Sequence, residues 1–153
     1  MIASLTKAKG IITLLEVAAK MPTYKFMMVL SADQKAIDTF FNSYTIPENV
    51  TIYPSQKDVG PLLNKSDILL NLTIPFFCVE TFGLTIIEGF AYGLPAFVPY
   101  VGGPAEIVES EYNGFTIDVT DVDVICSRIK YALEPANYVK LSNNALKESK
   151  NYT

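Results

Sequence analysis

No histidine occurs in this chain of 153 residues. Ser-His-Asp and Cys-His catalysis are thereby excluded, as is any zinc or haem site that depends on imidazole. Cysteine is almost as scarce. Cys78 and Cys126 lie far apart in apolar surroundings, and one isolated pair is no disulfide framework, so a reducing cytoplasm is the expected compartment. Positive charge is also short. Lys and Arg number 12 against 16 Asp and Glu, a net charge of −4, which leaves no electrostatic footprint for nucleic acid. Long apolar runs are missing too. Residues 68–77 are interrupted by Asn71, Thr73 and Pro75, well short of the roughly 20 apolar residues that span a bilayer. Lys7 and Lys9 ahead of residues 11–19 imitate a signal peptide, but Glu16 breaks the run and Lys20-Met21-Pro22 offers no cleavage site. In a cytoplasmic protein the Asn-x-Ser/Thr tripeptides at Asn49, Asn64, Asn71 and Asn151 carry no meaning. Neither a Walker sequence nor a G-x-G-x-x-G run is present, which disfavours an NAD-binding Rossmann domain.

What the chain does contain is core material. Half of its residues are apolar and 18% are charged, enough for one well-packed domain and too apolar for disorder. Strand-like and helix-like segments alternate along it. Residues 1–5 read as a strand cut off at its start, and after Gly10 the spacing of Ile11, Leu14, Leu15 and Ala18 marks one helical face. Residues 24–30 form a strand, and Asp33 caps a helix whose stripe is Ile37, Phe40 and Phe41. Strands over 50–53 and 67–72 flank a short helix at 58–65. A helix over 83–92, a strand over 95–99, a helix over 104–109 and a strand over 113–117 follow. An amphipathic helix over 121–133 comes next, then Pro135 as punctuation and a polar terminal helix over 138–150. Short, fully apolar strands in such an alternation imply a doubly wound α/β domain, a parallel sheet with helices on both faces. Right-handed crossovers then bring the loops after the strands to one ligand-binding edge.

Chemistry concentrates between Glu80 and Pro95. In a helix that starts near Gly83, Leu84, Ile87 and Ala91 form the expected inward stripe, and Glu88 falls one turn after Leu84 on the same side. A carboxylate there needs partners. It is either a core-edge glutamate satisfied by an amide or lysine, or a carboxylate facing a ligand with hydroxyls. Phe82-Gly83-Leu84 opens the helix, where a glycine lets a ligand approach and the first-turn amides suit phosphate; a plain cap is the simpler alternative. Glu80 would stand at the mouth of the same cleft. Lys7 and Lys9 are either solvated surface lysines or cations that neutralise phosphate on that edge. Val101-Gly-Gly-Pro-Ala-Glu106 is a second glycine-bearing loop that feeds a helix. Asp118, Asp121 and Asp123 read as strand-end and helix-start residues rather than metal ligands. Tyr92, Tyr100 and Tyr112 are expected to pack or line loops.

Taken in order, Lys9-Gly10, Asp67-Ile-Leu-Leu-Asn-Leu, Glu80-x-Phe-Gly-x4-Glu88-Gly-x-Ala-x-Gly-x-Pro95, Gly102-Gly-Pro-Ala-Glu106-Ile-Val and Asn113-Gly114 form a specific combination. It resembles the C-terminal, donor-binding domain of retaining GT-B fold glycosyltransferases, the group 1 / family 4 type that includes sucrose-synthase and mannosyltransferase-like enzymes. The resemblance covers nearly the whole chain. It implies a Rossmann-like half of a GT-B enzyme that binds a UDP-, GDP- or ADP-linked sugar and transfers a hexose, with retention and without a metal ion or other cofactor. Residues 1–135 would form the nucleotide-sugar-binding domain. Residues 136–153 would be a helix crossing back to an N-terminal domain that binds a glycan or lipid acceptor and is absent from this chain.

By the same resemblance Lys9 and Glu80 are the catalytic residues. Lys9 would stabilise the leaving diphosphate, and Glu80 would contact hydroxyls of the donor sugar. Glu88 would hold the ribose, the amides of Phe82, Gly83 and Leu84 would face the sugar and diphosphate, and the base would lie near Ser55 and Gln56. Family members also carry an arginine shortly before the lysine. Here that stretch reads Ala3-Ser4-Leu5, so one diphosphate clamp is missing and Lys7 is a candidate substitute. An incomplete catalytic unit is therefore expected, one half of a cytoplasmic or inner-membrane-face enzyme of polysaccharide biosynthesis, with any peripheral membrane association made through the absent domain. The alternative is a degenerate nucleotide-sugar-binding module without transfer activity. A receiver-type interaction domain lacks its acidic cluster after the first strand, and a nucleotide-sugar epimerase fits residues 80–93 less well. In a fragment, apolar surface is expected around residues 1–5 and on the terminal helix.

Overall fold

Runs of Phe, Met, Val and Leu pack best in pleated strands buried on both sides. In the computed structural model, which describes residues 1–152, they form two three-stranded parallel sheets. Thr153, the last residue of the expected terminal segment, lies outside the described residues. In the first sheet β2 (Phe26–Leu30) lies between β1 (Ile2–Ala3) and β3 (Val50–Tyr53), with Ile2 opposite Val29 and Phe26 opposite Val50. In the second, β5 (Ala96–Pro99) lies between β4 (Leu69–Leu70) and β6 (Gly114–Ile117), with Leu70 opposite Phe97 and Ala96 opposite Gly114. The edge strands β1 and β4 are only two residues each, shorter than their apolar runs suggested. The chain just beyond them ties the sheets together. The amide of Ile74 donates to the carbonyl of Ala8 at 2.8 Å, and Gly10 sits directly against Leu72.

Alternation along the strands divides the core between two faces. Leu70, Phe97, Phe115 and Ile117 join Met28 and Leu30 in a cluster covered by α1 (Ile11–Lys20), α2 (Gln34–Phe41) and α6 (Val122–Leu133). Leu69, Ala96 and Val98 point the other way, into a cluster with Leu63, Ile86, Phe90 and Val108. That face is covered by α3 (Gly60–Leu63), α4 (Leu84–Ala91) and α5 (Gly103–Ile107). Helices on both faces of parallel strands are the doubly wound α/β arrangement expected of the sequence. The last helix, α7 (Pro135–Ser149), spans the seam: Leu141 belongs to the first cluster and Ala145 to the second.

Pro135 is the first residue of α7 rather than a break before it, because a proline at the first helical position gives up only an amide that would have no intrahelical partner. The stripe expected on α4 also needs correcting. Its buried residues are Ile86, Gly89 and Phe90, whereas Leu84 is 73% exposed and Ala91 is exposed with it. Leu84, Glu88 and Ala91 do share a helical face, but it is the solvent side. The apolar surface is displaced in the same way. Residues 1–3 and 5 are half-buried, and several exposed apolar side chains lie instead after β4 and β5: Phe76 (88%), Phe77, Val79, Phe82, Tyr100 and Val101. The terminal helix does expose Val139 and Leu146, as expected.

Candidate functional site at the C-terminal edge of the strands

Parallel strands send every following loop to one edge, and that edge collects most of the residues singled out in the sequence. Lys9 lies in a short 3-10 turn (Lys7–Lys9) after β1, capped by Thr6, whose hydroxyl accepts from the Ala8 amide at 3.4 Å. Gly10 closes the turn at φ 74°, the left-handed region where a side chain would be strained. This holds Lys9 over the loop that follows β4. Its ammonium reaches Glu80 Oε1 at 2.6 Å, with 18% and 25% of the two side chains accessible. The other carboxylate oxygen, Oε2, accepts from the amide Nδ2 of Asn71. Both oxygens of Glu80 are therefore held by donors from two loops.

The backbone of Glu80 is fixed as well. Its carbonyl accepts from the Gly103 amide at 2.8 Å, and Gly102, at φ 92°, passes so close that a Cβ there would lie 2.5 Å from that oxygen. The glycine pair after β5 thus lets the loop of residues 78–83 lie against the start of α5. Three residues after Glu80, Gly83 caps α4 with no side-chain hydrogen bond, and it is itself buried, close against Ile107 and Pro104 of α5. Phe82 and Leu84 flank it with exposed side chains.

Other residues lie further away. Glu88 is exposed in the second turn of α4. Ser55 and Gln56 follow β3, two strands from β1: the Ser55 amide donates to the Ala32 carbonyl in the loop after β2, and Gln56 Nε2 donates locally to the Pro54 carbonyl. Lys7 is turned away from Glu80, with its ammonium 5.9 Å from the Tyr44 ring centre, and Ser4 is exposed. The acidic residues around α6 are structural. Asp121 caps the helix through the Val124 amide, Asp118 accepts from both the amide and the hydroxyl of Thr120, and Asp123 pairs with Lys20 at 2.6 Å. The hydrogen bonds from Thr120 hold the Asp118 carboxyl below the usual carboxylate range. Cys78 and Cys126 are both free, and burial pushes the Cys126 thiol up. Among the described residues no helix is long and apolar enough to cross a membrane.

Asn71 is the site residue that motif reading missed. Its signal was present, because an asparagine in an otherwise apolar buried strand must find partners. Those partners, Glu80 and the Thr73 amide, are set by the path of the following loop.

The fold and the edge geometry define a Rossmann-like α/β domain of the GT-B type. The profile of the family described as "Glycosyl transferases group 1" matches residues 1–150, and the chain belongs to that family. A sucrose synthase from Denitrovibrio acetiphilus is 42% identical over 73 residues, 44% of this chain and 9% of that protein. A sucrose synthase from Beta vulgaris is 50% identical over 44 residues, 29% of this chain and 6% of that one. Among solved structures, Anabaena HepE in complex with UDP superposes with a TM-score of 0.81 at 20% identity, over 98% of this chain and 44% of that one. The C-terminal domain of a group 1 glycosyl transferase (LpcC) from Francisella tularensis gives 0.75 at 16% identity, covering 98% and 83%. The chain thus spans only a small part of the curated relatives it matches, and nearly all of a single domain in one solved neighbour.

Proposed function

We propose that this chain is the donor-binding domain of a retaining, metal-independent glycosyltransferase that transfers a hexose from a nucleotide sugar to a glycan or lipid acceptor. The observation that carries this reading is the contact of Lys9 with Glu80 near the start of α4, on the edge where parallel α/β domains take ligands. A diphosphate at the amides of Phe82, Gly83 and Leu84, where the chain enters α4, meets the positive end of the helix dipole. Lys9 then offers its positive charge to the departing diphosphate, and a cation where negative charge develops lowers a barrier. Glu80, held at both oxygens, takes the hydroxyls of the sugar. Glu88 takes the ribose from its exposed position on α4, and Ser55 and Gln56 border the base. Residues 136–153 cross back to an acceptor domain in the longer protein. The same reading puts that protein in the cytoplasm or at the inner face of the membrane, in polysaccharide biosynthesis. It is supported by membership of the family and by the complexes of HepE with UDP and with UDP-glucose.

Titration of the chain with UDP, GDP, ADP and their glucose conjugates by calorimetry tests the reading. One nucleotide is expected to bind selectively, and Lys9→Ala is expected to weaken it about tenfold, on the order of 1.4 kcal/mol. Failure of every nucleotide to bind at millimolar concentration would sink the proposal. A second reading, binding without transfer, is favoured by Ser4 at the usual arginine position and by the turn of Lys7 toward Tyr44, which leave Lys9 as the cation beside Glu80. Donor binding by a longer protein that turns over no acceptor would select it.

A further inference from the structure

We infer that Asn71 is a positioning residue for Glu80, and that it sets the sugar-dependent part of donor affinity; the inference rests on the donor-site reading above. Asn71 follows the last residue of β4 and is buried, whereas Glu80 lies at the mouth of the site with a quarter of its side chain accessible. The orientation of the Asn71 amide is determined locally. The Thr73 amide, itself buried, donates to Asn71 Oδ1 at 3.1 Å. This turn leaves Nδ2 as the only side-chain donor and aims it at Glu80 Oε2.

The two donors on Glu80 are not equivalent. Lys9 sits on a flexible four-carbon stem and is the group a diphosphate would attract. Asn71 is uncharged, short and locked by its own turn, so a diphosphate has no comparable hold on it. Once a bound diphosphate draws Lys9, Asn71 becomes the remaining side-chain donor that keeps the Glu80 carboxylate facing the sugar. Loss of the Asn71 donor is therefore expected to leave nucleotide binding largely intact and to remove the extra affinity contributed by the sugar.

Two variants separate this role from a structural one. Asn71→Asp keeps the acceptor for Thr73 but turns the donor into an oxygen that repels Glu80. Asn71→Ser keeps a local acceptor for the turn but is too short to reach the carboxylate. Calorimetry with UDP and with UDP-glucose reads the ratio of the two affinities. Both variants are expected to bind UDP within about twofold of the unsubstituted chain and to lose about tenfold in that ratio, as for a hydrogen bond to a charged group. In the ligand-free chain, NMR of the Asn71 side-chain amide is expected to show a displaced signal that moves on Glu80→Gln. A signal indifferent to Glu80→Gln overturns the inference, because the contact is then absent. So does an unchanged affinity ratio in both variants, or an equal loss for UDP and UDP-glucose, which is the mark of a structural role. If the unsubstituted chain binds neither probe, the donor-site reading fails and the inference falls with it, a result distinct from failure of the variants alone.

Discussion

Gly10 illustrates how a single backbone angle places a charged side chain. Its φ of 74° turns the chain sharply after Lys9, and a Cβ built there would lie 2.2 Å from the carbonyl oxygen of Leu72. Gly10→Ala is expected to cost about 2–4 kcal/mol, from strain plus a backbone clash, read as a lowered urea midpoint. Because the clash is with the segment between Asn71 and Glu80, nucleotide affinity should fall too. At the two glutamates the expectations diverge. Glu80→Ala in a longer, active protein is expected to lower turnover, whereas Glu88→Ala, on the exposed face of α4, should weaken nucleotide binding with no loss of stability beyond about 0.5 kcal/mol. Normal affinity and rate in both variants would refute the assigned roles. Lys9, Glu80 and Gly83 were legible as candidates through the ordered motifs that hold them, although a surface lysine or a plain helix cap would have satisfied the same residues. Their mutual contact was not, since 71 positions separate Lys9 from Glu80.

Elements follow local rules more closely. Asp33 and Asp121 cap α2 and α6 as their positions in the sequence suggested, accepting from the Ala36 amide at 2.8 Å and the Val124 amide at 3.1 Å. Asp121→Ala is expected to cost about 1 kcal/mol, visible as a lower thermal midpoint, with nucleotide affinity unchanged. Helix α4 marks the limit of such reading. Only Thr85 and Glu88 are polar between Leu84 and Ala91, so more than one apolar stripe satisfies helical spacing, and placing Glu88 on the inward side set aside the one charge that marks the solvent face. Gly89 resolves the ambiguity in three dimensions. It lies so close to Leu69 that a Cβ would meet the leucine side chain at 2.7 Å, and this close approach turns Ile86 and Phe90 inward and Leu84 and Glu88 outward.

Two properties belong to the whole molecule. Burial raises the Cys126 thiol above its ordinary 9.0, an effect that Lys20 and Lys130 partly offset, and it raises the Tyr138 phenol above 10.0 with help from the Asp67 charge. The folded chain holds these protons more tightly than the unfolded chain does. Stability from this source is complete below the ordinary thiol value and is lost as pH rises through 9.0 and then 10.0. Denaturant midpoints are expected to fall as pH rises above 9.0, and Cys126→Ser with Tyr138→Phe should flatten the decline. The exposed aromatic loop after β4 is the second property. Phe76→Ser with Phe77→Ser should leave the unfolding midpoint within about 0.5 kcal/mol and reduce self-association in sedimentation, since neither side chain adds to the core.

Element order, the parallel α/β class, the caps and the family motifs were determined by the sequence alone, because each depends on residues within a few positions of one another: alternation, helical spacing, or a glycine beside a strand end. Only the tertiary structure decided which face of α4 is buried, that the ladder divides between β1 and β4, and that further apolar side chains are exposed on the loops after β4 and β5. It alone brought Lys9, Asn71 and Glu80 together. Those outcomes depend on how far two short edge strands extend and on the path of a loop across them, and both are set by contacts between segments distant in sequence rather than by the preferences of either segment.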